Sequence, residues 1–326
     1  MRSSIRRLLC SLKMVPFSGY LPISLLLFIL LLGISNYFTL NHVASQIKQV
    51  PQVAPRPARP VVRESTHFKS DSDDETRQAR QNPVPSQNDV PVYSDAEKKL
   101  RTEALQNVES DRQKVLSLAS GTDSKLFYRA IKKGALCRNQ NRIGAIADGG
   151  KEACNVQAVR KNDCTLVSLG LHNQIDFDQA IHVATGGHCK ILGVDKSEQN
   201  EETQQIYSQM GGQLFVGMIP SEITLPDMMR QAGRNEVEIL KIDIEGGEFA
   251  GLEPLIKDFL VCQIMIEIHG KPMEHLNLLR VMSRYGFRIF NVETNPFCPK
   301  CCEYSLINEL CMAQFGAIPL GATIPN

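Results

Sequence analysis

The strongest constraint on the fold is an alternation of short apolar runs with amphipathic stretches, which begins near residue 121. Runs that are apolar on both faces and alternate with helices are typical of a parallel sheet covered on both sides. The pattern therefore predicts a doubly wound, mostly parallel α/β domain over residues 121–326. The apolar runs predict strands over residues 164–170, 190–195, 213–218, 237–244, 263–268 and 287–292. The stretches between and after them predict helices over residues 178–183, 198–210, 226–232, 249–259 and 273–285.

In doubly wound folds the ligand binds beyond the carboxyl ends of the strands, so the residues at those ends are candidate site residues. The first predicted strand ends at Gly170, and the second ends at Asp195, twenty-five residues later. A glycine lets the backbone approach a ligand closely, and an acid at this place can accept hydrogen bonds from both hydroxyls of a ribose. Neither of the glycine-rich patterns that bind a diphosphate occurs here. The sequence therefore indicates a nucleoside ligand without a diphosphate, and S-adenosylmethionine is the candidate.

Polar side chains also end the fourth and fifth predicted strands. The fourth strand runs into Asp243 and Glu245, and the fifth ends with Glu267 and His269. Residues two apart on a strand share a face, so these four groups are predicted to meet and to move protons. No metal site is assigned to them, and a divalent ion between Asp243, Glu267 and His269 is the less favoured option.

The first ninety residues predict a membrane anchor and a tether. Residues 20–40 carry no charge over twenty-one positions, about the length of a transmembrane helix, and residues 1–19 before them carry basic side chains but no acid. This asymmetry predicts a cytoplasmic tail and a single-pass type II protein whose remaining chain faces the Golgi or endoplasmic reticulum lumen. A cleaved signal peptide is the alternative. Residues 41–93 are rich in Pro, Gln, Ser and charge, and predict a disordered stem.

A helix is predicted over the last part of the stem, residues 94–120. Ser94 and Glu97 have the spacing of a capping box, and apolar residues follow at near-helical spacing. Because Asp111 interrupts the apolar stripe, a helix lying beside the domain is favoured over a dimeric coiled coil. The net charge of the whole chain is +1, which disfavours a nucleic-acid partner. The oligomeric state is left open.

Nine of the ten cysteines follow the predicted anchor. In an oxidising lumen they are expected to form disulfides whose pairing the sequence leaves open, with one thiol left over. Cys298 and Cys301 form one Cys-x-x-Cys pair without a second pair at zinc-binding spacing, so disulfides are favoured over zinc. Cys10 is either an acylation site or a spectator.

The segments LKIDIEGGEF at residues 240–249 and QIMIEIHG at residues 263–270 resemble the FkbM-type methyltransferases and the membrane-anchored animal methyltransferase-like proteins. The resemblance covers about residues 130–310. It implies a Rossmann-like class I S-adenosylmethionine-dependent methyltransferase with a seven-stranded sheet whose last hairpin is antiparallel. The family's cofactor-binding positions fall on Ser168, Gly170, Asp178, Asp195, Gly217 and Met218. The acids that follow its fourth strand fall on Asp243 and Glu245. The chain departs from the general pattern at Ser168, where many such enzymes have an acid, and at residues 172–174, which replace a second glycine.

These observations predict an O-methyltransferase acting on a lumenal hydroxyl-bearing acceptor such as a glycan. Asp243 or His269 is the predicted general base, and Glu267 orients His269. Glu245 either holds the acceptor or supports a neighbouring site residue. Two alternatives remain. A Golgi-type glycosyltransferase would use Asp243 and Glu245 as its metal motif, and an inactive protein would keep the fold as a binding module.

Overall fold

The structure is a computed structural model that describes residues 92–146, 149–160 and 162–325. The predicted cytoplasmic tail, transmembrane segment and all but the last residues of the disordered stem lie outside the described residues. Within the described ranges, no helix is both long and apolar enough to cross a bilayer.

The described chain alternates strands and helices as predicted. The strands are β1 Ala135–Cys137, β2 Gln140–Ile143, β3 Lys151–Cys154, β4 Thr165–Leu169, β5 Lys190–Asp195, β6 Gln213–Val216, β7 Glu236–Ile242, β8 Leu260–His269, β9 Phe287–Thr294, β10 Cys301–Asn308 and β11 Ala317–Pro319. The α-helices are α1 Asp95–Ala119, α2 Ser124–Ala130, α3 Asp176–Ala184, α4 Glu201–Gln209, α5 Leu225–Gln231, α6 Glu248–Asp258, α7 Pro272–Arg284 and α8 Met312–Phe315.

Seven strands form one sheet in the order β6-β5-β4-β7-β8-β10-β9. The neighbours among β4 to β8 pair in parallel, and β10 pairs antiparallel with both β8 and β9. The predicted seven-stranded, mostly parallel doubly wound sheet is therefore confirmed. The chain winds outward from β4 in both directions, so the strand order reverses between β4 and β7. This is the switch point at which doubly wound folds bind ligands.

The sheet is covered by an apolar core on each face. Alternate residues of a strand point to opposite sides, so each strand contributes to both cores. Val167 and Leu169 of β4 belong to a core that also contains residues of α1, α2, α5, α6 and α7. Leu166 belongs to the opposite core, with Phe177 of α3 and Tyr207 of α4. This arrangement explains why the strands read as continuous apolar runs rather than as alternating ones.

Two features of the sheet differ from the sequence prediction. Strand β10 was not predicted, because its sequence mixes cysteine, glutamate and serine with apolar residues and carries no clear period. The fourth predicted strand ends at Ile242 rather than at residue 244, because the chain turns there and Glu245 takes a left-handed backbone conformation with φ of 52°. Glu245 therefore lies in a turn and not on a strand face.

Helix α1 begins as predicted and lies against the folded unit. The Ser94 Oγ accepts a hydrogen bond from the Glu97 backbone N–H, and the Glu97 side chain accepts one from the Ser94 N–H, which completes the capping box. Val115 and Ala119 are buried, and the Arg112 Nε donates to the Ala322 carbonyl oxygen at 2.7 Å. The helix thus packs on the α/β domain, which is the arrangement favoured over a coiled coil.

All but one of the described cysteines are paired. The disulfides are Cys137–Cys154, Cys164–Cys189, Cys262–Cys311 and Cys298–Cys301. Cys302 is buried and free. The prediction of disulfides with one thiol left over is therefore confirmed for the described part of the chain.

We expect non-reducing peptide mapping of the purified protein to recover these four pairs. After unfolding without reductant, an alkylating reagent should label Cys302 among the described cysteines. Replacing both Cys262 and Cys311 by alanine should lower the free energy of unfolding by about 4 kcal/mol, because this disulfide closes the longest loop of the four. Recovery of the native protein with a different set of pairs would contradict the structure.

The buried His275 predicts a pH dependence of stability. Its Nδ1 lies 3.1 Å from the Tyr304 hydroxyl and its Nε2 lies 3.1 Å from the Lys300 carbonyl oxygen, and burial lowers its pKa to about 4. Since the unfolded chain binds this proton with a pKa of about 6.5, acidification favours unfolding. The contribution of the neutral His275 to the free energy of unfolding should be fully present above about pH 6.5. It should fall by about 3 kcal/mol as the pH drops to about 4. Urea unfolding of His275→Gln should show a flatter profile across this window.

Candidate functional site

A cavity of about 320 Å³ opens at the switch point, beyond the carboxyl ends of β4, β5, β6 and β7. Its lining includes four of the six residues predicted to bind the cofactor and two of the four predicted to be catalytic. These are Gly170, Asp195, Gly217 and Met218 for the cofactor, and Asp243 and Glu245 for catalysis. The strand-end rule thus located the cavity from the sequence.

Gly170 is required by the close approach of two chain segments. Its φ is +78°, and a Cβ built on it would lie 1.7 Å from the Asp243 carbonyl oxygen. The Asp243 N–H donates to the Leu169 carbonyl oxygen at 3.0 Å, and the Lys241 Nζ donates to the Gly170 carbonyl oxygen at 2.9 Å. Only a residue without a side chain lets the ends of β4 and β7 meet here.

Asp195 ends β5 at the edge of the same cavity, where its side chain is held by backbone donors. Its Oδ2 accepts from the His172 N–H at 2.8 Å, and its Oδ1 accepts from the Ser197 N–H at 2.9 Å. Each carboxylate oxygen has a further lone pair, so both can still accept a hydrogen bond from a ligand hydroxyl. The loop of residues 172–174, which replaces the usual second glycine, is therefore tied to the predicted ribose-binding acid.

The structure corrects the predicted cofactor contacts of Ser168 and Asp178. Both side chains are almost fully buried, and neither lines the cavity. The Ser168 Oγ donates to Asp178 at 3.3 Å, and the Tyr207 hydroxyl donates to Asp178 at 2.5 Å. Burial raises the pKa of Asp178, and the nearby Lys241 ammonium works against this rise. These residues form a buried hydrogen-bonded cluster inside the domain.

Three of the four predicted catalytic groups meet at one end of the cavity. His269 Nε2 lies 3.8 Å from Asp243 Oδ1 and 3.4 Å from Glu245 Oε2. The side chain of Glu245 is 77 % exposed, whereas those of Asp243 and His269 are largely covered. The predicted meeting of the strand ends is therefore correct for these residues.

Glu267 does not orient His269, which corrects the predicted role. Its Oε1 accepts from the Asn295 Nδ2 at 3.0 Å, and its Oε2 lies 3.9 Å from the Lys151 Nζ. The group that holds His269 is instead Glu248, the first residue of α6, whose side chain is fully buried. Glu248 Oε1 accepts from the His269 N–H at 3.0 Å and lies 3.4 Å from His269 Nδ1. Sequence reasoning missed Glu248, although it stands in the LKIDIEGGEF segment.

The same carboxylates change the protonation of His269. The hydrogen bond to Glu248 raises the pKa of His269 to about 9, and the charges of Glu248, Glu245 and Glu267 add to the rise while burial opposes it. At neutral pH the imidazole therefore carries a proton and cannot accept another. A protonated imidazole is a poor proton acceptor, so of the two predicted general bases this arrangement favours Asp243.

The sheet order, the cavity at the switch point and the acidic residue at the end of β5 are consistent with a class I methyltransferase fold. The family model described as the methyltransferase FkbM domain matches residues 105–289. The chain belongs to this family of methyltransferases. The predicted cofactor, S-adenosylmethionine, is thereby confirmed at the level of the family.

Among the solved structures to which the chain is similar are several methyltransferases, all at low identity and low TM-score. Fibrillarin from Aeropyrum pernix, solved with natively bound S-adenosyl-L-methionine, is 13 % identical, with a TM-score of 0.36 over 46 % of this chain and 68 % of that one. The Methanococcus jannaschii fibrillarin pre-rRNA processing protein is 11 % identical, with a TM-score of 0.36 over 55 % and 96 % of the two chains. The precorrin-6y C5,15-methyltransferase of Geobacter metallireducens is 9 % identical, with a TM-score of 0.31 over 48 % and 86 %. No curated protein matches the chain.

Proposed function

We propose that the protein transfers a methyl group from S-adenosylmethionine to a hydroxyl group of its acceptor. One observation carries the proposal: the cavity at the switch point is lined by both Asp195, the predicted ribose-binding acid, and the carboxylate of Asp243. The first suits a nucleoside, and the second suits removal of a hydroxyl proton. Membership of the methyltransferase family favours this reaction over glycosyl transfer.

The residues present fit the cofactor. Gly170 has no Cβ to enter the space beside Asp243, and Asp195 keeps acceptor lone pairs free toward the cavity. Gly217 and Met218, at the end of β6, line the side of the cavity expected to contact the adenine. Bound S-adenosylmethionine supplies an electrophilic methyl group on a sulfonium sulfur.

Asp243 then performs the chemistry expected of the chain itself. Methyl transfer is an in-line displacement, so the protein must align the acceptor oxygen and remove its proton. The carboxylate of Asp243 accepts the hydroxyl proton while the oxygen–methyl bond forms and the sulfur–methyl bond breaks, with its electron pair remaining on sulfur. The protonated His269 beside Asp243 offsets the negative charge of the neighbouring carboxylates and holds Asp243 and Glu245 in place. Beyond its contact with His269, the exposed Glu245 carboxylate has lone pairs that suit a hydrogen bond from a further hydroxyl of the acceptor.

The proposed acceptor is a lumenal molecule rich in hydroxyl groups, such as a glycan. Four disulfides in the described part of the chain support an oxidising compartment, because such bonds persist in secretory compartments and outside cells. The predicted type II anchor would place the domain in that compartment. The proposal of a Golgi or endoplasmic reticulum location rests on these two features.

Calorimetric titration of the full-length protein with S-adenosylhomocysteine tests the cofactor site. We expect binding in a 1:1 ratio, and we expect Asp195→Asn to weaken it at least about 10-fold, because a charged hydrogen-bond acceptor of the ligand is lost. Glu202→Gln is the matched control, since Glu202 is an exposed acid in the first turn of α4, away from the cavity. Circular dichroism should show that both variants keep the fold. Absence of binding by the unmodified protein would refute the proposed function and favour an inactive binding module.

A further inference from the structure

Three potential metal ligands lie together where the cavity meets the end of β8. The ligand atoms of Asp243, Glu245 and His269 all lie within 4.8 Å of one another. The separations of 3.8 Å and 3.4 Å from His269 Nε2 to the two carboxylates correspond to angles of about 120° and 100° at an ion about 2.2 Å from each atom. We propose that Asp243, Glu245 and His269 bind one divalent first-row transition ion, such as Mn²⁺, beside the methyl-transfer site. This inference rests on the proposed function and adds a metal to it.

The surroundings of His269 supply a second observation, independent of the two ligand carboxylates. Histidines that bind metals usually donate their other ring N–H to a carboxylate, which fixes the ring and directs the free nitrogen at the ion. Glu248 is placed for this role, because its fully buried carboxylate lies 3.4 Å from His269 Nδ1 on the side away from Asp243 and Glu245. Glu248 also accepts from the His269 and Gly246 backbone N–H groups, at 3.0 Å and 2.8 Å. The orientation of Nε2 toward the two ligand carboxylates is therefore built into the fold.

The charge of the cluster favours a cation. Asp243, Glu245 and Glu248 bring three carboxylates to one imidazole ring. The nearby Lys241 Nζ donates to the Gly170 carbonyl oxygen, and its charge acts on Asp243 without a direct ion pair between the two side chains in the described structure. A divalent ion would offset the carboxylates directly, at the place where they converge.

The ligand set selects the class of ion. One imidazole nitrogen with two carboxylate oxygens suits Mn²⁺ and its first-row neighbours, whereas Mg²⁺ and Ca²⁺ prefer oxygen ligands alone. Three protein ligands leave coordination positions open, and the 77 % exposure of the Glu245 side chain leaves the site accessible from solvent. The structure thus describes an open site, which is the kind that can also hold a substrate.

An ion at this place would change how the acceptor loses its proton. A hydroxyl oxygen bound to a divalent ion is more acidic than a free one. Its proton then leaves to water at the exposed side of the site, the oxygen–methyl bond forms, and the sulfur–methyl bond breaks with its electron pair on sulfur. Asp243, which accepts the proton in the metal-free reaction, acts instead as a ligand. The ion takes the place of the proton on His269 Nε2, which is released to water when the ion binds. The same coordination fixes the acceptor oxygen next to the cofactor cavity.

Titration of the EDTA-treated full-length protein with Mn²⁺, followed by the electron paramagnetic resonance signal of the free ion, tests the site. We expect one ion per chain, with Mg²⁺ competing at least about 10-fold more weakly. Glu245→Gln should raise the Mn²⁺ dissociation constant at least about 10-fold, and its exposed position means that the variant should fold normally. Glu202→Gln should leave the dissociation constant unchanged. No binding, or equal binding by the unmodified protein and Glu245→Gln, would overturn the proposal.

A parallel titration of the same EDTA-treated protein with S-adenosylhomocysteine separates the two proposals. Binding of S-adenosylhomocysteine without binding of Mn²⁺ overturns the metal site and leaves the methyltransferase proposal standing. Mn²⁺ binding without S-adenosylhomocysteine binding supports the metal site and overturns methyl transfer. Absence of both overturns both.

Discussion

Gly170→Ala is expected to destabilise the protein by at least about 3 kcal/mol and to abolish binding of S-adenosylhomocysteine. The new Cβ would lie 1.7 Å from the Asp243 carbonyl oxygen, so one of the two chain segments must move. Alanine must also take a φ of +78°, which costs about 1–2 kcal/mol by itself. Because both segments line the cavity, any shift that relieves the contact also displaces the cofactor site. Urea unfolding and calorimetry of the purified variant measure the two effects.

Gly211→Ala is the matched control for this substitution. Gly211 also has a left-handed backbone, with φ of +67°, but a Cβ there would meet nothing within 4 Å. We expect a loss of only about 1 kcal/mol, from the backbone conformation, and unchanged cofactor binding. If Gly170→Ala lost no more stability than Gly211→Ala, the close approach of β4 and β7 would be refuted.

The architecture could be predicted from the sequence because its parallel strands carry a strong and local signal. The run at residues 190–195 has an uncharged, mostly apolar centre between Lys190 and Asp195 and was predicted with the bounds that β5 has in the structure. Strand β10 lacked such a signal because it begins with two cysteines, one of them in a disulfide, and continues with Glu303. Its identity as a strand depends on long-range pairing with β8 and β9, which no local period reveals.

Only the site residues that lie at the carboxyl ends of strands could be predicted from the sequence. Gly170, Asp195 and Asp243 follow from the strand-end rule, and they line the cavity. Ser168 was assigned by resemblance to the position of an acid, but its buried side chain donates to Asp178 inside the domain and does not line the cavity. The partner of His269 could not be found from strand periodicity, because Glu248 comes from a helix that returns toward the end of β8.

A buried ion pair beside the site was also beyond sequence reasoning. Lys151, from the small β2–β3 hairpin, has a side chain that is only 1 % exposed, and its Nζ lies 2.5 Å from Glu303 Oε1 and 3.9 Å from Glu267 Oε2. A lysine in a short polar strand reads as a surface residue. Its burial follows from two carboxylates on β8 and β10 that face each other in the register of the sheet.

Lys151→Met is expected to destabilise the protein by about 3–5 kcal/mol, because removing one partner of a buried pair leaves uncompensated charge. Adding Glu303→Gln should restore at least about 2 kcal/mol, since it removes one of the two carboxylates left without the ammonium. Arg230→Met is the control. It breaks an ion pair with Asp227 in which both side chains are more than half exposed, and it should cost less than about 1 kcal/mol. Urea unfolding of all variants at pH 8 gives these differences.

The pH dependence of the Lys151→Met effect gives the sharper test of its cause. Burial raises the pKa of Glu303 even with the ammonium of Lys151 beside it, so loss of that ammonium should raise the pKa further. The folded variant then binds a proton that the unfolded chain, with an ordinary glutamate pKa of about 4.3, does not hold at neutral pH. Its stability should rise relative to the unmodified protein as the pH falls from 8 to 5. A stability difference that stays constant over this range would show that lost packing, rather than buried charge, accounts for the effect.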